Sequence, residues 1–283
     1  MRQLFAIIFI LVSALGFGAE GVHRKSPYLS YIVMDADSSA VLGCSNATKE
    51  AYPASCTKLM TARLVYKARK LGRITDSTRF VQSKRSKQES PSKLDLAVGE
   101  SISYDDAMKA LFLKSANDVA VMMAEKVGGS VENFVELMNL EAKKLGMKHT
   151  RYVSPNGLPP PKNSKRGFDV STAQDLAILA QALVRENPEI LDYTSLANTT
   201  ITGAGGQPLW LQNHNNILWK KQYKVKGADG LKTGYNNAGG SSIVLTGRRD
   251  GGHRVIVVVL GSSSAAERDA NAAHFLEDAL MRF

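Results

Sequence analysis

Strand-like segments stand at the two ends of this chain and helix-like segments fill the middle, which limits the folds open to it. Near the C-terminus, Leu231 to Tyr235, Ser242 to Thr246 and Val255 to Leu260 read as three strands. The last is an unbroken apolar run, the pattern of a strand covered on both faces. Asp250-Gly-Gly252 supplies the turn between the second and third. Near the N-terminus, Ser30 to Asp35 and Ala40 to Gly43 flank a polar turn and predict a hairpin. Helices are expected from Ser55 toward Gly72, over Tyr104 to Leu113, and from Asn117 to Gly128. Another is N-capped by Ser130, and a capping box of Ser171 with Gln174 opens the next. Ser264 with Glu267 makes a further capping box for a terminal helix. Ser83 to Lys93 and the proline-rich Ser154 to Arg166 read as loops. The expected architecture is α+β: an antiparallel sheet of about five strands built from both termini, with a helical insertion.

Of the 283 residues, 44% are apolar and 22% charged, which excludes disordered, collagen-like and polytopic membrane classes. Lys and Arg outnumber Asp and Glu by 36 to 26, so an anionic environment is favoured: nucleic acid, a phospholipid face or an acidic polymer. The opening narrows this. Met1-Arg2, an apolar stretch from Leu4 to Phe17, and small residues at Gly16, Gly18 and Ala19 describe a secretory signal over residues 1–18, cleaved after Gly18 or Ala19. The stretch is shorter than a membrane span, and no cysteine follows it for a lipid anchor. Export to the periplasm or cell envelope argues against nucleic acid. Residues 27–283 are expected to form a single catalytic domain.

Three short motifs carry chemistry. Ser55-Cys-Thr-Lys58 lies at a predicted helix start, Ser115-Ala-Asn117 on a loop leading into a helix, and Lys232-Thr-Gly234 on a predicted strand. Positions i and i+3 share a helix face, so Lys58 can reach Ser55. A lysine in a dry, cationic cleft is held toward its neutral form and can take the serine proton. Ser115 can relay a proton from the other side, and Asn117 can donate to a substrate amide. Lys232 and Thr233 offer a cation and a hydroxyl to a carboxylate, and Gly234 permits close backbone approach. Each motif alone is commonplace; the three in this order define penicillin-binding proteins and serine β-lactamases.

The likeness extends beyond the trio, through Tyr52 to Thr61, Leu113 to Asp118, Ser154 to Leu158, Ser171 to Asp175, Asn213 to Trp219 and Asp229 to Gly234. Over its mature length the chain resembles the low-molecular-mass D-alanyl-D-alanine carboxypeptidases, serine peptidase family S11. The resemblance implies a β-lactamase/transpeptidase-like fold, an acyl-enzyme on Ser55, and peptidoglycan stem peptides as substrate in cell-wall synthesis and shape. It also implies β-lactams as covalent inhibitors, no cofactor or metal, and an oxyanion hole from the backbone N–H groups of Ser55 and Tyr235. Relatives with a second β-domain and a C-terminal amphipathic membrane helix extend past the point matching Phe283, so no C-terminal anchor is expected. Tyr235 stands where a histidine is common.

Arg268 falls in the first turn of the last helix, where a cation opposes the helix dipole. At the matching place in relatives an arginine reads the terminal carboxylate; the plain alternative is a solvated surface arginine. Cys56 should face away from Ser55 and be buried, with no Cys44–Cys56 disulfide expected. His23, His149, His214, His253 and His274 lack zinc-peptidase spacing. The basic clusters, including Lys84-Arg85-Lys87, read as solvated faces. The leading expectation is a serine D,D-carboxypeptidase removing the terminal D-alanine of pentapeptide stems, and the alternative is a D,D-endopeptidase cutting cross-links. A β-lactamase is disfavoured because Ser154 to Asp175 holds no Glu to activate water. A non-catalytic wall-binding module would not need both Lys58 and Ser115.

Overall fold

A computed structural model describes residues 28–161 and 165–282; the expected signal segment lies outside them. In chain order the elements are β1 (Ser30–Asp35), β2 (Val41–Ser45), α1 (Lys58–Lys70), β3 (Arg79–Val81), β4 (Ser101–Ser103), α2 (Tyr104–Lys109), α3 (Asn117–Gly128) and α4 (Val131–Leu145). They continue with α5 (Ala173–Glu186), α6 (Ile190–Thr194), β5 (Asn198–Thr202), β6 (Pro208–Gln212), β7 (Ala228–Asn236), β8 (Gly240–Arg248), β9 (Arg254–Ser262) and α7 (Ala265–Arg282). The main sheet has the order β2-β1-β9-β8-β7, and all its neighbours are antiparallel. Strands from the two chain ends therefore meet at the β1–β9 seam.

The apolar run in β9 is explained by its place at the sheet centre. Successive side chains of a strand point to opposite faces. Ile256, Val258 and Leu260 join the large core beneath the helical lobe, while Val255, Val257 and Val259 pack on the face covered by Leu276, Ala279 and Leu280 of α7. All six are fully buried. Fully burying a side chain of this size contributes roughly 1.5–3 kcal/mol, so this one strand anchors both layers.

Within the helical lobe, Arg63 of α1 donates to Glu141 of α4 at 2.8 Å and to Glu186 of α5 at 3.0 Å, and Lys67 also pairs with Glu141. The network clamps together three helices that carry or back the motif residues.

Several local expectations need correction. The α5 cap is Thr172, whose Oγ1 accepts from the Asp175 N–H at 3.0 Å. Ser171 is held one residue upstream in an extended bridge to Ala51, so the helix starts after it. The segment Tyr104 to Leu113 is α-helical only to Lys109, then widens into a π turn over Ala110–Lys114. The small hairpins β3–β4 and β5–β6 and the short α6 escaped the sequence reading; elements of three to five residues carry too little periodicity to show. The loop Ser83 to Lys93 contains a 3-10 turn over Ser86–Gln88.

Candidate active site

Ser55 sits in a 3-10 turn, Ala54–Thr57, which runs directly into α1 at Lys58. The expected α-helical start is thus one tight turn later than the sequence suggests. Lys58 remains one turn from Ser55 and is completely buried. Three oxygens surround its Nζ: Ser55 Oγ at 2.9 Å, Asn117 Oδ1 at 2.7 Å and the Asn156 carbonyl at 2.7 Å. The last two are acceptors only, so they take N–H groups. A neutral amine has two N–H groups and one lone pair; with both donors taken, the lone pair faces the Ser55 hydroxyl. Burial, and then Lys232 across the cleft, hold the Lys58 ammonium well below the ordinary lysine range, while Cys56, Glu89 and Asp169 pull the other way.

Two non-glycine residues beside this centre adopt left-handed backbone. Ala54, just before Ser55, has φ 48°, and Ser115 has φ 60° with ψ 35°. Such conformations cost of order 1–3 kcal/mol and persist where the surroundings enforce them. Ser115 closes the π turn and is nearly buried, and its Oγ has no hydrogen-bond partner among the described residues. Asn117 begins α3, with its N–H on the Ser92 carbonyl at 2.7 Å.

The third motif lies on β7, an outer strand of the main sheet, against the turn that holds Ser55. A Cβ on Gly234 would come within 2.6 Å of the Pro53 carbonyl oxygen, so only glycine allows this approach. Lys232 is buried and donates to the Thr233 carbonyl at 2.9 Å. Burial, with Arg268 adding to it, pushes its ammonium down to about 8. Arg268 itself is 5% exposed and holds Asp269 Oδ1 through Nε at 2.9 Å and Nη2 at 2.7 Å. The reading of a solvated surface arginine is therefore overturned: Arg268 is buried, and near enough to Lys232 to act on its charge. Tyr235 is 64% exposed.

Other residues stand at the site that sequence reasoning gave no part in the chemistry. Asn156 contributes a backbone carbonyl, which no side-chain motif announces. Asp169, nearly buried, accepts from the N–H groups of Val153 and Ser154 and from Ser154 Oγ, shaping the turn that aims that carbonyl. Gly157 has φ 81°, and a Cβ there would lie 1.9 Å from the Ala54 carbonyl oxygen, so the turn and the Ser55 segment are in direct backbone contact. His214 lies where Lys232, Lys114, Arg268 and Lys58 act on it, and burial together with these cations pushes it down to about 4. Cys56 is a buried free thiol facing the Lys232 carbonyl at 3.6 Å, and burial pushes it up to about 11. It is thus a packing group at neutral pH. Cys44 is free and exposed.

Comparisons with known proteins agree with this geometry. The model of the D-alanyl-D-alanine carboxypeptidase family, peptidase S11, matches residues 25–264. The chain is 32% identical to D-alanyl-D-alanine carboxypeptidase DacA of Haemophilus influenzae, covering 86% of this chain and 60% of the relative. It is also 32% identical to DacF of Bacillus subtilis, covering 100% and 72%. The chain thus spans only about three fifths to three quarters of the length of these relatives. Penicillin-binding protein D2 of Listeria monocytogenes, solved in an ampicillin-bound form, superimposes with a TM-score of 0.76 at 30% identity, over 90% of this chain and 98% of that one. With a β-lactamase/transpeptidase-like fold, the three motifs about one cleft and a family match over most of its length, the chain belongs to peptidase family S11, the D-alanyl-D-alanine carboxypeptidase family.

Proposed function

We propose that the protein is a serine D,D-carboxypeptidase acting on peptidoglycan stem peptides. The observation that carries this reading is the setting of Lys58, whose Nζ lies 2.9 Å from Ser55 Oγ, the one of its three oxygen neighbours that has a proton to give. Ser55 Oγ attacks the carbonyl of the D-Ala–D-Ala bond as its proton passes to Lys58. The backbone N–H groups of Ser55 and Tyr235 receive the oxyanion. Ser115, with its hydroxyl unengaged, relays that proton from Lys58 to the departing amine of D-alanine, giving up one proton as it takes the other. Water then attacks the acyl-enzyme and returns Ser55. Asn117 serves twice, fixing Lys58 and facing the substrate amide.

Substrate choice follows from charge. Lys232 and Arg268 add positive charge to a shielded cleft, and His214 is kept neutral beside them. An anion entering there is favoured, and a free C-terminal carboxylate is the anion such a peptide offers. Lys232, Thr233 and Arg268 are assigned to it, with Gly234 letting the peptide lie close to β7. β-Lactams fit the same site as covalent inhibitors, as the ampicillin-bound relative suggests. Since peptidoglycan lies outside the cytoplasmic membrane, this reading places the protein in the cell envelope after export.

Mass spectrometry after penicillin exposure tests the reading. A long-lived adduct on Ser55, abolished in Ser55→Ala, is expected; rapid turnover would indicate a β-lactamase, and no adduct a binding module. Incubation with monomeric pentapeptide beside cross-linked dimer should release D-alanine from the monomer. Preferential cleavage of the dimer would make the protein an endopeptidase, the activity named for a Pseudomonas aeruginosa relative at 30% identity.

A further inference from the structure

The basic loop over residues 83–93 reads from sequence as a solvated face, yet it is strapped to both residues that hold Lys58. On one side, the Ser92 carbonyl accepts the Asn117 N–H at 2.7 Å, and Ser92 Oγ donates to the Lys114 carbonyl at 2.6 Å. Just beyond the loop, buried Asp118 accepts from the N–H groups of Leu94 and Asp95 at 2.8 and 3.1 Å. On the other side, Glu89 accepts from Asn156 Nδ2 at 2.9 Å. Asn156 is itself 2% exposed, and its carbonyl takes the Lys58 N–H at 2.7 Å. The Glu89 carboxylate is thus one residue removed from the lysine, through Asn156.

We propose that Glu89 is a positioning residue for the Ser55–Lys58 pair, holding the Asn156 carbonyl against Lys58 and supplying negative charge behind it. The inference rests on the carboxypeptidase reading above. Asn156 has two jobs with opposite ends: its side chain is a donor to Glu89 and its carbonyl an acceptor for Lys58. Its Oδ1 is already occupied by the Leu158 N–H at 3.1 Å. Loss of Glu89 would leave a buried amide donor unpaired, and the close backbone contact between Gly157 and Ala54 gives the turn few ways to relax.

The charge matters as well. Glu89 lines a cavity of about 390 Å³ whose other charged groups are Arg85 from its own loop, Arg166 from the proline-rich loop, and Glu132 and Glu136 from α4. Arg85 is paired to Glu132 at 2.7 Å, and Arg166 donates to the carbonyls of Leu158 and Pro159. Both arginines act on the Glu89 carboxylate through space, while the hydrogen bond it accepts comes from Asn156 Nδ2. Around Lys58 the other charged or ionisable groups include Lys232, Asp169, Cys56 and His214, the last kept neutral by its own burial and the surrounding cations. Glu89 is thus one of two acids opposing Lys232, and burial keeps its own carboxyl above the ordinary range.

The test measures acylation by a fluorescent penicillin against pH for the wild type, Glu89→Gln and Glu89→Ala. In Glu89→Ala the plateau rate should fall at least about tenfold, the scale of one hydrogen bond to a charged group. Glu89→Gln keeps an acceptor for Asn156 Nδ2 and should recover most of that loss. Removing negative charge favours the neutral amine, so in Glu89→Gln the acid limb should move to lower pH by about half a unit. An unshifted limb in Glu89→Gln, or wild-type rates at every pH in both variants, would overturn the proposal. Should the wild type itself fail to label, the carboxypeptidase reading fails instead. Glu89 is then decided by 13C NMR titration of Lys58 Cε, assigned by its loss in Lys58→Met: the same acid-ward movement in Glu89→Gln supports the proposal, and no movement ends it.

Discussion

Gly157→Ala isolates the contact between the Asn156 turn and the Ser55 turn. Two penalties add. An L-residue at φ 81° pays roughly 1–2 kcal/mol for the left-handed backbone. The new methyl would also lie 1.9 Å from the Ala54 carbonyl oxygen and 2.3 Å from its carbon. These are backbone atoms of a turn that already has Ala54 at φ 48°, so they cannot swing aside as a side chain would. Forced repacking of this kind costs typically 1–3 kcal/mol, for a total of about 2–5 kcal/mol. In a domain of this size that lowers the melting midpoint by roughly 5–15 °C. Gly146 is the internal control, because its φ is 78° and a Cβ there would meet nothing within 4 Å. Gly146→Ala should show the backbone penalty alone. Urea unfolding of both variants gives the steric part as their difference, about 1–3 kcal/mol. Penicillin acylation should slow in Gly157→Ala and stay at the wild-type rate in Gly146→Ala. Equal destabilisation in the two variants, with unimpaired acylation by Gly157→Ala, would refute the view that this contact sets the position of Ser55 and Lys58.

Arg268→Ala should weaken turnover of a free-carboxylate pentapeptide by about 1.5–3 kcal/mol and that of its amidated analogue much less; equal losses would reduce Arg268 to a structural partner of Asp269. Lys232, held down to about 8 by burial, loses its charge above that pH, so KM for the free-carboxylate substrate should climb from pH 8 upward while KM for the amidated one stays flat. The same shift acts on stability: because the folded state binds this proton less well than the unfolded one, the lysine's contribution improves as pH rises from about 8 toward the unfolded value, and Lys232→Met should remove that slope from urea titrations. Glu141→Ala leaves Arg63, 3% exposed, with only the half-exposed Glu186, and should cost about 3 kcal/mol in urea unfolding; a loss below 1 kcal/mol would show that water or rearrangement replaces the buried pair.

Much of the fold was legible because its signals are local. The run Val255 to Leu260 reports its own burial on two faces, and Ser130 caps the helix it precedes, accepting from the Asn133 N–H at 3.1 Å. The S-x-x-K spacing survives even though its first turn is 3-10 rather than α, since three residues later is one turn in either helix. Where a local signal had two neighbouring candidates it misled: Ser171 and Thr172 are both good caps, and the long-range bridge from Ser171 to Ala51 decided between them.

The sequence by itself determined which side chains can do acyl transfer and the order in which they occur. Only the tertiary structure decided what surrounds them. Arg268 looks from sequence like a helix-end arginine, and the fold buries it against Asp269, near enough to Lys232 to act on its charge. Glu89 looks like part of a solvated basic loop and is joined through Asn156 to Lys58. The decisive oxygen at Asn156 is a backbone carbonyl, a group every residue carries, so its role depends on where Asp169 and Gly157 bend the chain. Hydrogen bonds and charge act across a few ångströms of space, and the groups that hold Lys58 lie 59 and 98 residues away along the chain.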